Sequence, residues 1–376
     1  MCIRDSDMDV DCAVIGAGLA GTAFAASLRL RGYSGTLLLL EAGRGPGGRA
    51  ATRRTRDDLI WRLDHGSPCL SFSQKPQRDL DLLLKSLLER GAVVPDLGTV
   101  VGDNEFGCVV SAVDHPLLRG PRFRGLPTMA SVCQSLLQSA GSKTRALFRT
   151  RISQLRRKDG WWWLSSQHRA RRLVITGNLL AHPRSLAIVG SDDVPLRSAV
   201  PVGFDQDLDA ALERIRLIAA AVRFNLMLEL PGCDDFLPRQ IWLTSTAQKK
   251  FGIERIVSQR QEDGRIGLVV HGLADGAPIS PATTSKLLLE QENHQHEVLP
   301  VLLQSWPELT KGLSQARCHG VMRWGASQPL DHPLPQSLQW CSKSSVGFCG
   351  DWIDGPGFGM AEGALQSAID LAGLLV

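Results

Sequence analysis

No apolar run in this chain of 376 residues approaches the roughly 20 residues a helix needs to cross a bilayer, so the sequence offers no spanning segment. Its nine cysteines include no C-x-x-C pair and no Cys/His cluster at zinc spacing, which excludes a zinc finger and gives no disulfide framework. An odd count scattered in this way reads as reduced thiols in a cytoplasmic protein. Charge of one sign is also scarce: a formal net charge of +4 is a weak bias that tolerates an anionic ligand and makes no case for nucleic acid. The first ten residues are too acidic and too short of apolar stretch for a secretory signal, and Met1 to Ser6 read as a disordered or artefactual leader. No internal repeat or low-complexity linker divides the chain. Its domains are therefore expected to be interleaved.

What is present is ordinary in bulk: 43% apolar and 21% charged residues suit a globular protein, long enough for two domains or one domain with a large insertion. The patterns are more specific. Val10 to Ile15 reads as a buried strand, Thr22 to Leu30 as a helix of small apolar residues, and Thr36 to Leu40 as a second strand ending at Glu41. Between the first strand and the helix stands Gly16-Ala17-Gly18-Leu19-Ala20-Gly21, a G-x-G-x-x-G turn. Gly16 suits the tight turn, Gly18 lets backbone approach a pyrophosphate, and Gly21 allows close helix–strand packing. Glu41 stands where an acid accepts hydrogen bonds from an unphosphorylated ribose, which favours FAD or NAD over NADP. Alone such a turn is weak and has a purely structural alternative; here the strand, helix and acid surround it.

Two further segments bear on which dinucleotide. Gly43-Arg44-Gly45-Pro46-Gly47-Gly48-Arg49 puts two arginines among four glycines just past Glu41, and Arg49 is a forked donor suited to a pyrophosphate. The alternative is a flexible basic surface loop. Near the C-terminus, Gly350-Asp351 follows an expected strand over Ser345 to Cys349, and a glycine-rich stretch leads through Met360 and Ala361 into an expected last helix over Ala361 to Leu375. An aspartate there suits a ribityl chain, and the helix N-terminus suits a flavin pyrimidine edge on which negative charge builds. The alternative is a loop that merely caps the helix.

Elsewhere, helices are expected over Asp79 to Arg90, Thr128 to Ala140, Leu208 to Ala221 and Ala282 to Leu303. Strands are expected over Arg172 to Thr176 and near 223–230, 240–245 and 266–271. A hairpin is expected from Ala146 to Arg156 and Trp161 to Ser166, turning at Lys158-Asp159-Gly160. Its basic residues interleave with Trp161, Trp162 and Trp163, a pattern sometimes seen with nucleic acid. A hairpin alternates its faces, however, so the expectation is one tryptophan face packed inward and the charges solvated.

Together these segments resemble the glutathione-reductase-like FAD superfamily, within it the amine-oxidase branch, and most nearly the renalase-like family of flavoproteins. The pieces that carry the resemblance are Val14 to Gly21, Glu41 to Arg54, Asp64-His65-Gly66, Gly125-Leu126-Pro127-Thr128-Met129, Met322-Arg323-Trp324 and Gly350 to Ala364. The resemblance implies an α/β fold: a Rossmann-like FAD-binding domain from residues 8–72, 120–185 and 318–376, with an inserted mixed α+β substrate domain from 73–119 and 186–317. It implies non-covalent FAD held by Gly16, Gly18, Gly21, Glu41, Arg49, Asp351, Met360 and Ala361. The implied activity is oxidation of a small amine or a dihydronicotinamide, by hydride transfer to flavin N5 with oxygen as acceptor. A desaturase or hydroxylase of a larger apolar molecule, or a non-enzymatic flavin or NAD sensor, are the alternatives.

The scarcity of one residue marks a departure. Amine oxidases are known for an aromatic cage, often of tyrosines, yet the only tyrosine here is Tyr33, in the turn before the second strand. Any cage must come from tryptophan or phenylalanine, with Trp324, Trp340 and Trp352 best placed and core packing the alternative for each. Cys349 is expected to be packed and not linked to the flavin. Asp64 and His65 are adjacent on an extended segment and so point to opposite faces, which argues against an acid/base dyad. His65 remains a catalytic candidate beside the simpler role of cofactor-shell packing. Arg323 shares a face with His319 whether this stretch is a helix or a strand, and is a candidate anchor for an anionic group of the substrate.

Overall fold

Asp9–Ile15 is the central strand of a parallel sheet in the computed structural model, which describes residues 9–165, 168–232, 237–274 and 285–376. The expected leader Met1 to Ser6, the last residue of the expected hairpin at 166, and the start of the helix expected from Ala282 lie outside the described residues. Leu37–Leu40 and then Thr144–Leu147 flank the central strand on one side, His168–Ile175 and then Val346–Phe348 on the other, all in parallel. Leu37–Leu40 is four consecutive leucines, all buried, because both faces of the sheet are covered. Alternate residues choose between two cores: Val14, Leu37 and Leu39 pack with Phe24 and Leu365, whereas Ala13, Leu38 and Leu40 pack with Leu208 and Ile215.

Leu19–Leu30 and Ala361–Leu374 lie together on the first face. Their alanines and glycines bring the first and last segments of the chain into contact. The tryptophan hairpin extends the same sheet through Leu155–Lys158 and Trp161–Leu164. Its turn uses Asp159 and Gly160 at positive φ, the geometry that fits the twist of a two-residue hairpin. The expected start of this hairpin at Ala146 is corrected: Thr144–Leu147 is a separate parallel strand beside Leu37–Leu40.

A second sheet of seven strands runs in the order Arg317–Pro329, Ala220–Leu230, Ile266–Gly272, Ile253–Arg260, Gln240–Leu243, Val100–Asp103 and Val109–Val110. All its pairings are antiparallel except that of Gln240–Leu243 with Val100–Asp103. Leu226, Leu228 and Val270 pack beneath Leu299 and Leu302 of the helix Ser285–Leu302. The helix expected over 208–221 stops at Ile215, and residue 220 already begins the long strand. Among the elements not expected from sequence are Ser245–Phe251 and Ile253–Arg260. Ile253–Arg260 buries Glu254, Arg255 and Gln259, so no alternation of apolar and polar residues marked it. The fold is mixed α/β with a Rossmann-like sheet. No helix among the described residues is long and apolar enough to cross a membrane.

Candidate active site

The parallel strands end at a cavity of about 580 Å³ whose far wall is the second sheet. Gly16 turns the chain off the first strand at φ +109°, and a side chain there would strike Thr176. Gly21 is not on the cavity wall. A Cβ on it would come 2.1 Å from the Gly16 carbonyl, so its absence lets the helix leave close to the strand. Gly18 forms the wall and pairs with Gly47, which donates to the Ala17 carbonyl at 3.0 Å. The arginine–glycine loop therefore lies directly on the first turn.

Glu41 also forms the wall, and its carboxylate is fixed from both sides. It accepts from the Ala17 N–H at 2.9 Å and from the Gly43 N–H at 2.6 Å. Further in, Arg49 meets Asp351 through two parallel hydrogen bonds of 2.5 and 2.6 Å and donates to the Ser327 carbonyl at 3.1 Å. Sequence reasoning gave these two residues separate ligand roles; the structure makes them a forked ion pair joining loop and C-terminal turn. Met360 and Ala361 complete this side, where the 14-residue C-terminal helix begins.

Of the three candidate tryptophans, only Trp324 is on the wall. Trp352 is buried against Phe348 and donates to the Thr176 carbonyl, and Trp340 packs beside the first core. Tyr33 packs against that same core, under Arg29 and Arg172. Cys349 is buried, its thiol pushed well up by burial, and none of the described cysteines is in a disulfide.

His65 stands behind Trp324, not on the wall, with the rings stacked 5.4 Å apart at 24°. Burial, and then Arg53, push its pKa down to about 4, so it is neutral at neutral pH. Asp64 does not bond to it; its carboxyl accepts from Thr52 Oγ1 and the Met129 N–H, and burial raises its pKa to about 6. Arg323 precedes Trp324 on an extended strand, so the two point to opposite faces, and Arg323 is not on the wall.

Sequence reasoning missed the residues opposite Trp324. Arg223, which pairs with Trp324 across the strands, lines the inner end together with Asn225, Glu254, Arg255 and His271. Arg223 and Asn225 alternate with buried Val222, Phe224 and Leu226, a polar face written in steps of two that could have been read. Glu254 and Arg255 are consecutive yet both reach the cavity, because the strand carries a register shift there.

Residues 14–87 match a family described as an NAD(P)-binding Rossmann-like domain. No curated protein matches the chain in sequence. Among solved structures, the chain is similar to cyclohexylamine oxidase from Brevibacterium oxydans IH-35A, with a TM-score of 0.67 at 14% identity over 98% of both chains. It is similar to putrescine oxidase bound to putrescine, at a TM-score of 0.63 and 13% identity over 98% of this chain and 99% of that one. An oxidoreductase from Methanosarcina mazei gives 0.59 at 12% identity over 95% and 99%. At these identities the likeness is one of fold, and it extends over nearly the whole chain.

Proposed function

We propose that the protein is a renalase-like flavin-dependent oxidoreductase that holds FAD non-covalently and oxidises a small amine or dihydronicotinamide-type substrate, with oxygen as acceptor. One observation carries this reading. A single cavity runs from the glycine turn and Glu41, past Arg49 and Asp351, to a polar inner end under Trp324. Such continuity suits a long cofactor with its reactive ring deep inside, and the similar solved structures include two amine oxidases.

The residues present fit FAD. Gly16 and Gly18 expose backbone where a pyrophosphate needs close approach, and the tethered Glu41 carboxylate keeps lone pairs for ribose hydroxyls. Arg49 would meet a phosphate and Asp351 a ribityl chain, while the helix beginning at Ala361 sets its positive end at the wall. Bound FAD supplies a hydride acceptor at N5. The protein's own tasks are to orient the substrate, exclude water and stabilise negative charge, so no strong acid or base is required. Trp324 would form the substrate face with neutral His65 as its support, and Arg223 and Arg255 occupy the anchoring position for which Arg323 was the sequence candidate. In this reading residues 8–72, 120–185 and 318–376 serve the cofactor, and 73–119 and 186–317 the substrate.

A polar, arginine-lined inner end speaks against a desaturase or hydroxylase of a long apolar molecule. The test is the absorption spectrum of the purified protein, where flavin bands are expected and denaturation should release the flavin into the filtrate. A protein that shows no flavin and takes up none from added FAD would end this reading. Anaerobic mixing with amines and dihydronicotinamides should bleach the bands; bands that no candidate bleaches would point to a sensor.

A further inference from the structure

We propose that the inner end of the cavity, formed by Arg223, Asn225, Arg255, His271 and Trp324, is a binding site for a carboxylate group, so that the amine or dihydronicotinamide-type substrate also carries an acid group. That the bound acid is a substrate rests on the flavin reading; the anion site rests on this chain's own side chains.

Charge is the first ground. Arg223 and Arg255 share one carboxylate, Glu254, at 2.9 and 3.4 Å. All three side chains are nearly buried, so one positive charge stands uncompensated where water screens it little. The rings of His65 and His271 add nothing to it, because burial keeps both neutral.

Hydrogen bonding is the second ground, and it can be followed atom by atom. Asn225 Nδ2 lies 2.9 Å from the His65 backbone carbonyl, which can only accept, so the orientation of this amide is fixed. The same Nδ2 lies 3.2 Å from His271 Nδ1, which therefore accepts. A neutral imidazole that accepts at Nδ1 carries its proton on Nε2. His271 Nε2 is thus a donor, and it has no partner among the described residues. Neither do Arg255 Nε and Trp324 Nε1, both donors, nor Asn225 Oδ1, an acceptor. Buried polar atoms are nearly always paired, and three orphaned donors on residues lining one end of one cavity call for a common partner. Those three donors, with a surplus positive charge, select a group that accepts and is negative: a carboxylate. A cationic amine seated there would face an uncompensated guanidinium.

The probes are benzoate, benzamide and benzylamine, titrated calorimetrically into the FAD-loaded protein while the flavin spectrum is followed. Benzoate is expected to bind about tenfold or more tightly than either of the others and to shift the flavin bands. Trp324→Phe keeps the ring and removes one donor, and Arg255→Lys keeps the charge and removes the fork. Each should weaken benzoate by about tenfold. Because Arg255 is buried, Trp324→Phe stands as the decisive variant if Arg255→Lys does not fold. Equal or tighter binding of benzylamine, or benzoate binding untouched by Trp324→Phe, would overturn the proposal. Should the protein take up no FAD, the flavin reading fails, and the same titrations on the flavin-free protein still decide the anion site.

Discussion

Asp64 and His65 are neighbours in the chain, both buried, and burial moves them in opposite directions. His65 falls from 6.5 to about 4, so as pH drops the unfolded chain takes up its proton first and stability is lost between those values. Asp64 rises from 3.8 to about 6, so its contribution is present below about 4 and is lost as pH rises through about 6. Between pH 4 and 6 the two effects largely cancel. His65→Phe, which keeps a ring against Trp324, should expose the Asp64 effect. Relative to wild type, urea-derived stability should shift in the variant's favour by about 2 to 3 kcal/mol between pH 7 and pH 4. Parallel pH profiles for the two proteins would sink the assignment. At this scale legibility followed the kind of constraint. Gly16, Gly18 and Glu41 could be read because their spacing is set by a turn between two strands. His271 and Arg255 could not, because they meet only through pairing across the second sheet.

The tryptophan hairpin shows how an element sorts its side chains. Trp162 is fully buried and donates to the Ser344 carbonyl at 3.0 Å, whereas Trp161 and Trp163 are partly exposed on the other face. Arg169 lies over both of these rings, Arg171 over Trp161 and Arg156 over Trp163. Trp162→Ala should therefore cost about 3 to 5 kcal/mol, and Trp163→Ala under about 1 kcal/mol, by equilibrium urea unfolding. Similar losses for both would mean the strand does not alternate as described. The hairpin was legible because Lys158-Asp159-Gly160 announces a turn and three tryptophans announce strands. The end of the helix at Ile215 was not. Leu217, Ile218, Ala219, Ala220 and Ala221 continue a helix-like apolar pattern, and the sheet overrides it by recruiting residue 220 onward as the strand that pairs on both sides.

At the scale of the whole molecule, the cavity is a seam between two walls. The glycine turn, Glu41 and Asp351 belong to the Rossmann-like side, and Trp324, Arg223 and His271 to the second sheet. Arg49 bonds to both sides, through Asp351 and through the Ser327 carbonyl. A ligand filling the cavity touches both walls at once, so it should stabilise the assembly by RT ln(1 + [L]/Kd), about 2.7 kcal/mol at a hundredfold excess over Kd. Added FAD is accordingly expected to raise the melting temperature of flavin-stripped protein by several degrees. Asp351→Ala acts on both terms. It leaves the Arg49 guanidinium without its forked partner, which lowers stability without FAD, and it removes the acceptor expected at the ribityl chain. The FAD-induced shift should then fall to about half that of wild type, since a lost charge-assisted hydrogen bond of about 1.5 kcal/mol weakens binding roughly tenfold. Thermal melts of stripped and FAD-supplemented protein, wild type beside variant, separate the two effects. A variant that melts lower yet keeps the full FAD shift would show that Asp351 joins the protein to itself and not to the cofactor.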